Sequence, residues 1–411
     1  MGVARDYGKC TICEFKFILR IGVGVESKCT HTFDCPNCFT PISVDLVTGK
    51  PGQAWVEPVQ NIEIINQDLE IDKFINLHPA FAFRSDEYHS PFAFASMHHS
   101  KLTFGKMRMV PGKFQDFATQ FEIPETAKLW QTVRSVISLA TKNDPANVLQ
   151  KQISAYESAR KKYTPQFTCT TTFKCIASFF DDIFYPAIGN LRQPLRSFVR
   201  SEREAHPAEM EKFSEYYRNE IQETALNRYL AIFGDYFRLF DQFRQVLTHV
   251  RVGSEDVDDL IVGSKRFDEI KLYYGQAYET LTSSYTTLAC LNNISTGRSF
   301  DQFKSMSLTK YIKDIEKAKK SNPFSDVPTL FSFAAFDNSS LRNGSHHASI
   351  WREGDLIKFR SGGTGAENDI SYSRYLHICN GITISIAALF LVELEMFSTI
   401  ALQSDASGHR G

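Results

Sequence analysis

A mainly α-helical protein with a small β unit at its N-terminal end is what this sequence predicts, on three observations. Two Cys-x2-Cys pairs, Cys10 with Cys13 and Cys35 with Cys38, enclose 21 residues of strand-like pattern. Apolar residues recur at helical spacing from Pro124 almost to the end of the chain. Between these regions, residues 51–122 are punctuated by Pro51, Pro58, Pro79, Pro91 and Pro111 and show no clean period. The chain divides accordingly into residues 1–50, a mixed then helical middle region 51–201, and a helical domain 202–411. At 411 residues and 43% hydrophobic, with 34 Phe, it is long and apolar enough to build a substantial core. The 46 Lys and Arg are balanced by 47 Asp and Glu, which argues against a protein built to coat nucleic acid and leaves room only for a local basic site.

In the first segment, each Cys-x2-Cys turn presents two thiolates to one ion, and Pro36 and Asn37 suit the tight turn of the second. With the strand-like run Phe15, Phe17 and Leu19 between them, the unit resembles a zinc ribbon. Cys10, Cys13, Cys35 and Cys38 are the expected ligands of a structural Zn2+, with Cys29 and His31 as competitors for a place among the four. Four protein ligands would close the site and leave it no catalytic position. The odd count of nine Cys, five of them before residue 40, fits a metal site in a reducing compartment better than a disulfide framework. Residues 1–6 lack the apolar core of a signal peptide, and the most apolar run, 382–392, is ended by Glu393 and Glu395. The expectation is a cytoplasmic protein with no membrane span. Lys9, Lys16, Arg20 and Lys28 would suit a phosphate backbone, although solvated ribbon faces have the same look.

In the middle region, the pair His98 and His99 reads as a surface feature, because no third ligand stands at a useful spacing. Residues 124–200 read as two or more packed helices, with Cys169 and Cys175 as buried free thiols. Pro207 stands at a plausible first helical position, and the amphipathic pattern after it runs to Phe243 with a bend at Gly234. A second long helix is expected over 265–292 and a basic third over 300–320. Residues 356–359 and 370–372 read as a β-hairpin joined through 362–365, and a last helix over 374–402.

The stretch 338–348 concentrates groups suited to phosphate chemistry. Arg342, Asn343 and His347 follow Asp337, Asn338, Ser339 and Ser340, all good helix caps. A helix starting there puts Asn343 and His347 on one face, near backbone amides and the positive end of the dipole. Spacing of Arg and His alone means little, since Arg84 and His89, Arg200 and His206, and Arg244 and His249 repeat it. Only Arg342 is followed by Asn, lies in the first turn of a capped helix, and precedes a hairpin and a long apolar helix.

That ordered combination resembles a HEPN domain over residues 202–405. The resemblance implies a helical bundle that works as a homodimer and cleaves RNA as a metal-independent endoribonuclease, in the manner of toxins and antiviral defence effectors. It implies Arg342, Asn343 and His347 as catalytic residues, His346 as an auxiliary acid or supporting group, and an acid on an earlier helix, for which Glu279 is the candidate. RNA would be the substrate. Gly344 departs from the family pattern by weakening the helix by about 1 kcal/mol relative to Ala. Ser349 departs by standing where some members carry a modifiable Tyr. The other outcomes consistent with these residues are a HEPN module that binds a nucleotide or RNA without cutting it, and a scaffold whose zinc ribbon docks a protein.

Overall fold

The computed structural model of the chain describes residues 2–50, 52–67, 70–106, 122–142, 146–263, 266–346, 349–360 and 365–398, excluding the side chains of residues 104–106, 146, 339, 345 and 346. Helix dominates, with several small sheets. At the N-terminal end, β1 (Val3–Cys10) and β2 (Lys16–Gly22) form an antiparallel hairpin. A second antiparallel sheet follows, of β3 (Lys28–Asp34), β4 (Pro41–Thr48) and β5 (Ala54–Gln60) in that order. The first sheet is completed by β6 (Ile62–Ile65) beside β1 and by β7 (Phe74–Leu77) running parallel to β2. Phe17 from the first sheet meets Phe33 from the second edge to face at 5.7 Å, and both are buried.

Four strands, β5 to β7 and the two-residue β8 (Phe83–Arg84), thus lie in the Pro-rich stretch that showed no period. They are short, and Pro58 sits in β5, an edge strand whose pairing with β4 is irregular between Ser43 and Val44. An edge strand tolerates the missing Pro N–H, so the breaker did not break it. The strand pair β8 (Phe83–Arg84) and β9 (Leu260–Ile261) then ties this β module to the helical part.

Two short helices, α1 (Ser85–Tyr88) and α2 (Ala95–Lys106), lead into α3 (Thr126–Thr141), α4 (Ala146–Arg160), α5 (Thr172–Phe184) and α6 (Ala187–Ala205). Pro207 opens α7 (Pro207–Tyr216) at its first turn, as expected. The bend expected at Gly234 lies elsewhere: α8 (Gln222–Arg238) runs straight through it, and the interruptions are a π-helical turn at Tyr217–Ile221 and a break at Leu239 before α9 (Phe240–Arg251). A helix interior accommodates a single Gly at a cost of about 1 kcal/mol, and here tertiary packing outweighs it. Next comes the long α10 (Phe267–Ser295).

The basic helix expected over 300–320 is reduced to α11 (Leu308–Asp314) and a single 3-10 turn at Lys317–Lys319. Lys320 explains the early stop: its buried amine turns back to donate to the carbonyls of Tyr311 and Ile312. After α12 (Pro328–Phe331) and α13 (Ser339–His346), the expected hairpin is a three-stranded antiparallel sheet. Its strands are β10 (Ile350–Glu353), β11 (Leu356–Arg360) and β12 (Glu367–Ser371), the first of which was missed. The Gly-rich turn of 362–365 lies outside the described residues up to 364. The final helix, α14 (Tyr372–Met396), is capped by the Ser371 hydroxyl on the Arg374 amide.

By length and composition α14 could cross a membrane, yet 94% of its most apolar window is buried inside the protein, packed against α6, α9 and α10. It is the axis of one apolar core that runs from Ala82 to Phe397 and takes residues from helices on both sides of position 201. Trp130 anchors one end, among Phe179, Phe180, Phe233 and Phe237. A separate core, from Ala4 to Ala95, fills the β module.

Candidate functional site

The first site is built from the ends of strands. Cys10 ends β1 and Cys13 lies in the turn after it, while Cys35 and Cys38 lie in the turn joining β3 to β4. The two turns share one construction. Glu14 donates its amide to the carbonyl of Cys10 and Phe39 to that of Cys35, at 2.9 and 3.0 Å. Both Glu14 and Phe39 adopt left-handed backbone, φ 59° and 58°. The four sulfurs lie within 4.8 Å of one another, with Cys10 to Cys38 at 3.8 Å and Cys13 to Cys35 at 3.6 Å. A tetrahedral ion bonded to sulfur at about 2.3 Å needs sulfurs roughly 3.8 Å apart, so the four cysteines can hold a metal ion such as zinc. Cys29 and His31 take no part in this cluster. The Cys29 sulfur instead accepts from Arg244 at 3.2 Å, and burial pushes its thiol up to about 11.

The second site lies where α10 meets the start of α13. Asn338 caps α13, its side chain accepting from the Leu341 amide at 3.0 Å and its carbonyl from the Arg342 amide at 3.1 Å. Two tyrosines of α10, one helical turn apart, hold this end in place: Tyr274 donates to the Asn338 carbonyl at 3.1 Å and Tyr278 to the Asp337 carboxylate at 2.6 Å. Leu341 is fully buried beneath them. Gly344 fits because α13 lies close on β11, where a Cβ would come within 3.1 Å of the Phe359 Cβ.

Arg342 is thereby aimed back at α10. Its Nε and Nη2 donate to Glu279 Oε1 at 3.2 and 2.7 Å, and its Nη1 to Asn343 Oδ1 at 3.1 Å. Lys317 reaches the other oxygen of Glu279 at 3.1 Å and also donates to the Ser283 hydroxyl. Burial works to raise the Glu279 pKa, but the bonds from Arg342 and Lys317 outweigh it and hold the carboxyl below its usual range. Burial pushes the Lys320 amine down to about 8, with the Lys317 charge adding to it. The Arg342 and Glu279 side chains are 24% and 32% exposed, so the group opens to the surface.

No protein-family model, curated protein or solved structure matches this chain.

Of the residues singled out for phosphate chemistry, the structure brings together Arg342, Asn343 and Glu279. His347 and the His346 side chain lie outside the described residues. The sequence reading missed Lys317 and Tyr278, and took Asp337 only as a helix cap, whereas it accepts from Tyr278. The signal for Lys317 was the basic run after Tyr311, and for its partners the Glu279 and Ser283 pair one turn apart on α10. The other Arg and His pairs are structural: Arg84 pairs with Asp256 and Asp259 across the β8 and β9 junction, and Arg244 is buried against Glu26 and Glu122. His99 is buried rather than on the surface, while His98 faces Glu87. Arg20 bonds Asn76, Lys9 pairs with Glu63 and Lys28 with Asp45, so these cations of the β module have partners within the chain.

Proposed function

We propose that the chain is a HEPN-type, metal-independent endoribonuclease acting as a homodimer, in the role of a toxin or antiviral defence effector in the cytoplasm. The observation that carries this reading is the convergence of α10, the turn after α11 and α13 on one partly exposed charged group, with Arg342 in the first turn of an Asn-capped helix. In the reaction, the ribose 2′-OH loses its proton to His347 and attacks the adjacent phosphorus. The bond to the 5′-oxygen breaks, and that oxygen takes up a proton, leaving a cyclic phosphate. Arg342 stays charged at any working pH and matches two phosphate oxygens of the pentavalent transition state. Asn343 orients His347 or a phosphate oxygen, Glu279 positions Arg342, and His346 supplies the proton or supports the base. Lys317 adds positive charge beside them.

A general base contributes roughly 100- to 10,000-fold in rate. His347→Ala should therefore reduce cleavage of total RNA in EDTA by at least about 100-fold while leaving the circular dichroism spectrum unchanged; unaltered cleavage would sink the assignment. The rival reading is RNA or nucleotide binding without cleavage. Retention of RNA by the wild-type protein with no products formed would select it.

The four-cysteine cluster we assign to a structural Zn2+ in a ribbon, a closed site that stabilises the β module and takes no part in the reaction. Mass spectrometry should find one zinc per chain and none after Cys35→Ala, whose β module should also unfold; full metal content in that variant would refute the assignment.

A further inference from the structure

A cavity of about 590 Å3 lies between the β module and the helical part, away from Arg342. Its wall is made by β3, the second cysteine turn, the chain after β7, α9, residues 261–263 and the turn between β10 and β11. Its volume falls within the range of about 300–1,000 Å3 typical of small-molecule sites.

The lining offers three chemistries in one space. Phe33, Phe39, Phe81, Phe83 and Tyr88 supply aromatic surface, and Phe39 is 76% exposed although it belongs to neither core. Asp34, Asp241 and Asp355 supply carboxylates, and Lys73, Arg266 and Arg352 supply cations; Arg352 reaches Asp355 and Arg266 reaches Glu269, both at 3.8 Å, and Asp241 accepts from Gln242 at 2.8 Å. In the wall, His31, Gln242 and Arg244 are each more than nine-tenths buried. Each keeps one polar atom, His31 Nε2, Gln242 Oε1 and Arg244 Nε, with no hydrogen-bond partner among the described residues. Buried polar atoms without partners are costly and rare in stable folds, and these three comprise an acceptor, a donor and an imidazole nitrogen that can be either. His31 is neutral at pH 7, because burial takes it down to about 4.

An aromatic shelf for a base, carboxylates for a ribose diol and cations for phosphate are together the requirements of one ligand class. We infer that this cavity binds a free ribonucleotide, with the base on Phe39 and the phosphates toward Lys73, Arg266 and Arg352. Phe39 is held over the cavity by the left-handed turn of the Cys35 and Cys38 knuckle, so the metal unit positions the stacking ring. The site is distinct from Arg342, and it does not depend on ribonuclease activity.

Calorimetric titration of the full chain with AMP, GMP, CMP, UMP and the four triphosphates tests this. At least one should bind. Phe39→Ala, an exposed site that leaves both cores intact, should weaken it about 5- to 150-fold, as expected for one base stacked on an aromatic ring. Arg342→Ala should leave that affinity unchanged. No heat from any of the eight at millimolar concentration, or affinity indifferent to Phe39→Ala but lost with Arg342→Ala, overturns the inference. So does binding of an RNA hexamer, sensitive to Phe39→Ala, by a protein that ignores all eight mononucleotides.

Discussion

Glu393 shows how much a single residue can do inside a helical core. It lies fully buried on α14, where its carboxyl accepts from Tyr217 at 3.1 Å, from Tyr229 at 2.7 Å and from the Thr287 hydroxyl. Burial nevertheless pushes its pKa up to about 7. The folded state therefore binds the proton more tightly than the unfolded chain, whose Glu titrates near 4.5. The stability this confers is complete below about pH 4.5 and is lost as pH rises through about 7, an upper bound on the order of 3 kcal/mol. Glu393→Gln should remove this slope, so that the difference in Tm between variant and wild type grows from pH 5 to pH 8; parallel curves would refute it. None of this could be read from the sequence, where Glu393 looks only like the end of an apolar run. By contrast, the four-cysteine cluster was legible because each pair has only two residues between its members and the chemistry sits in the spacing itself. The role of Arg244 was not, since its partners Glu26 and Glu122 are 218 and 122 positions away.

Among elements, α13 is the most informative. Its start was readable from Asn338 and the polar residues around it, because capping is local. Why a glycine sits in the middle of so short a helix was not readable, since the reason is contact with β11. Helix propensity says that Gly344→Ala should stabilise by about 1 kcal/mol. The 3.1 Å approach to the Phe359 Cβ says that the new methyl needs β11 or α13 to give by a few tenths of an ångström. Packing should prevail, and the variant's midpoint in urea should be equal to or below that of wild type; a rise of the full amount would show that α13 is free to move away from β11. Strands β5, β6 and β7 and the missed β10 make the complementary point. Segments of four to seven residues are too short to display a period, and their stability comes from neighbours that the local sequence does not name.

At the scale of the molecule, mainly helical architecture with a cysteine-bearing β unit was legible, because long amphipathic patterns and doubled cysteine pairs are strong signals. The junction between the two parts was not, being made of contacts between distant segments: the two-residue pairing of β8 with β9, the Arg84 ion pairs, and Gly263. At Gly263 the helical part comes so close to β3 that a Cβ would lie 2.2 Å from the Thr32 carbonyl oxygen, and Gln245 brackets the same glycine with both ends of its amide. This seam has a consequence for the order of events during synthesis. Thr32 leaves the ribosome about 230 residues before Gly263, an interval of roughly 10–50 s at ordinary translation rates. For that time the nascent β module must stand alone with the face around Cys29, His31 and Thr32 open to solvent. The four clustered thiols, Cys10, Cys13, Cys35 and Cys38, are all made within the first 38 residues, so a metal ion bound there would hold the unit closed well before its covering helices exist.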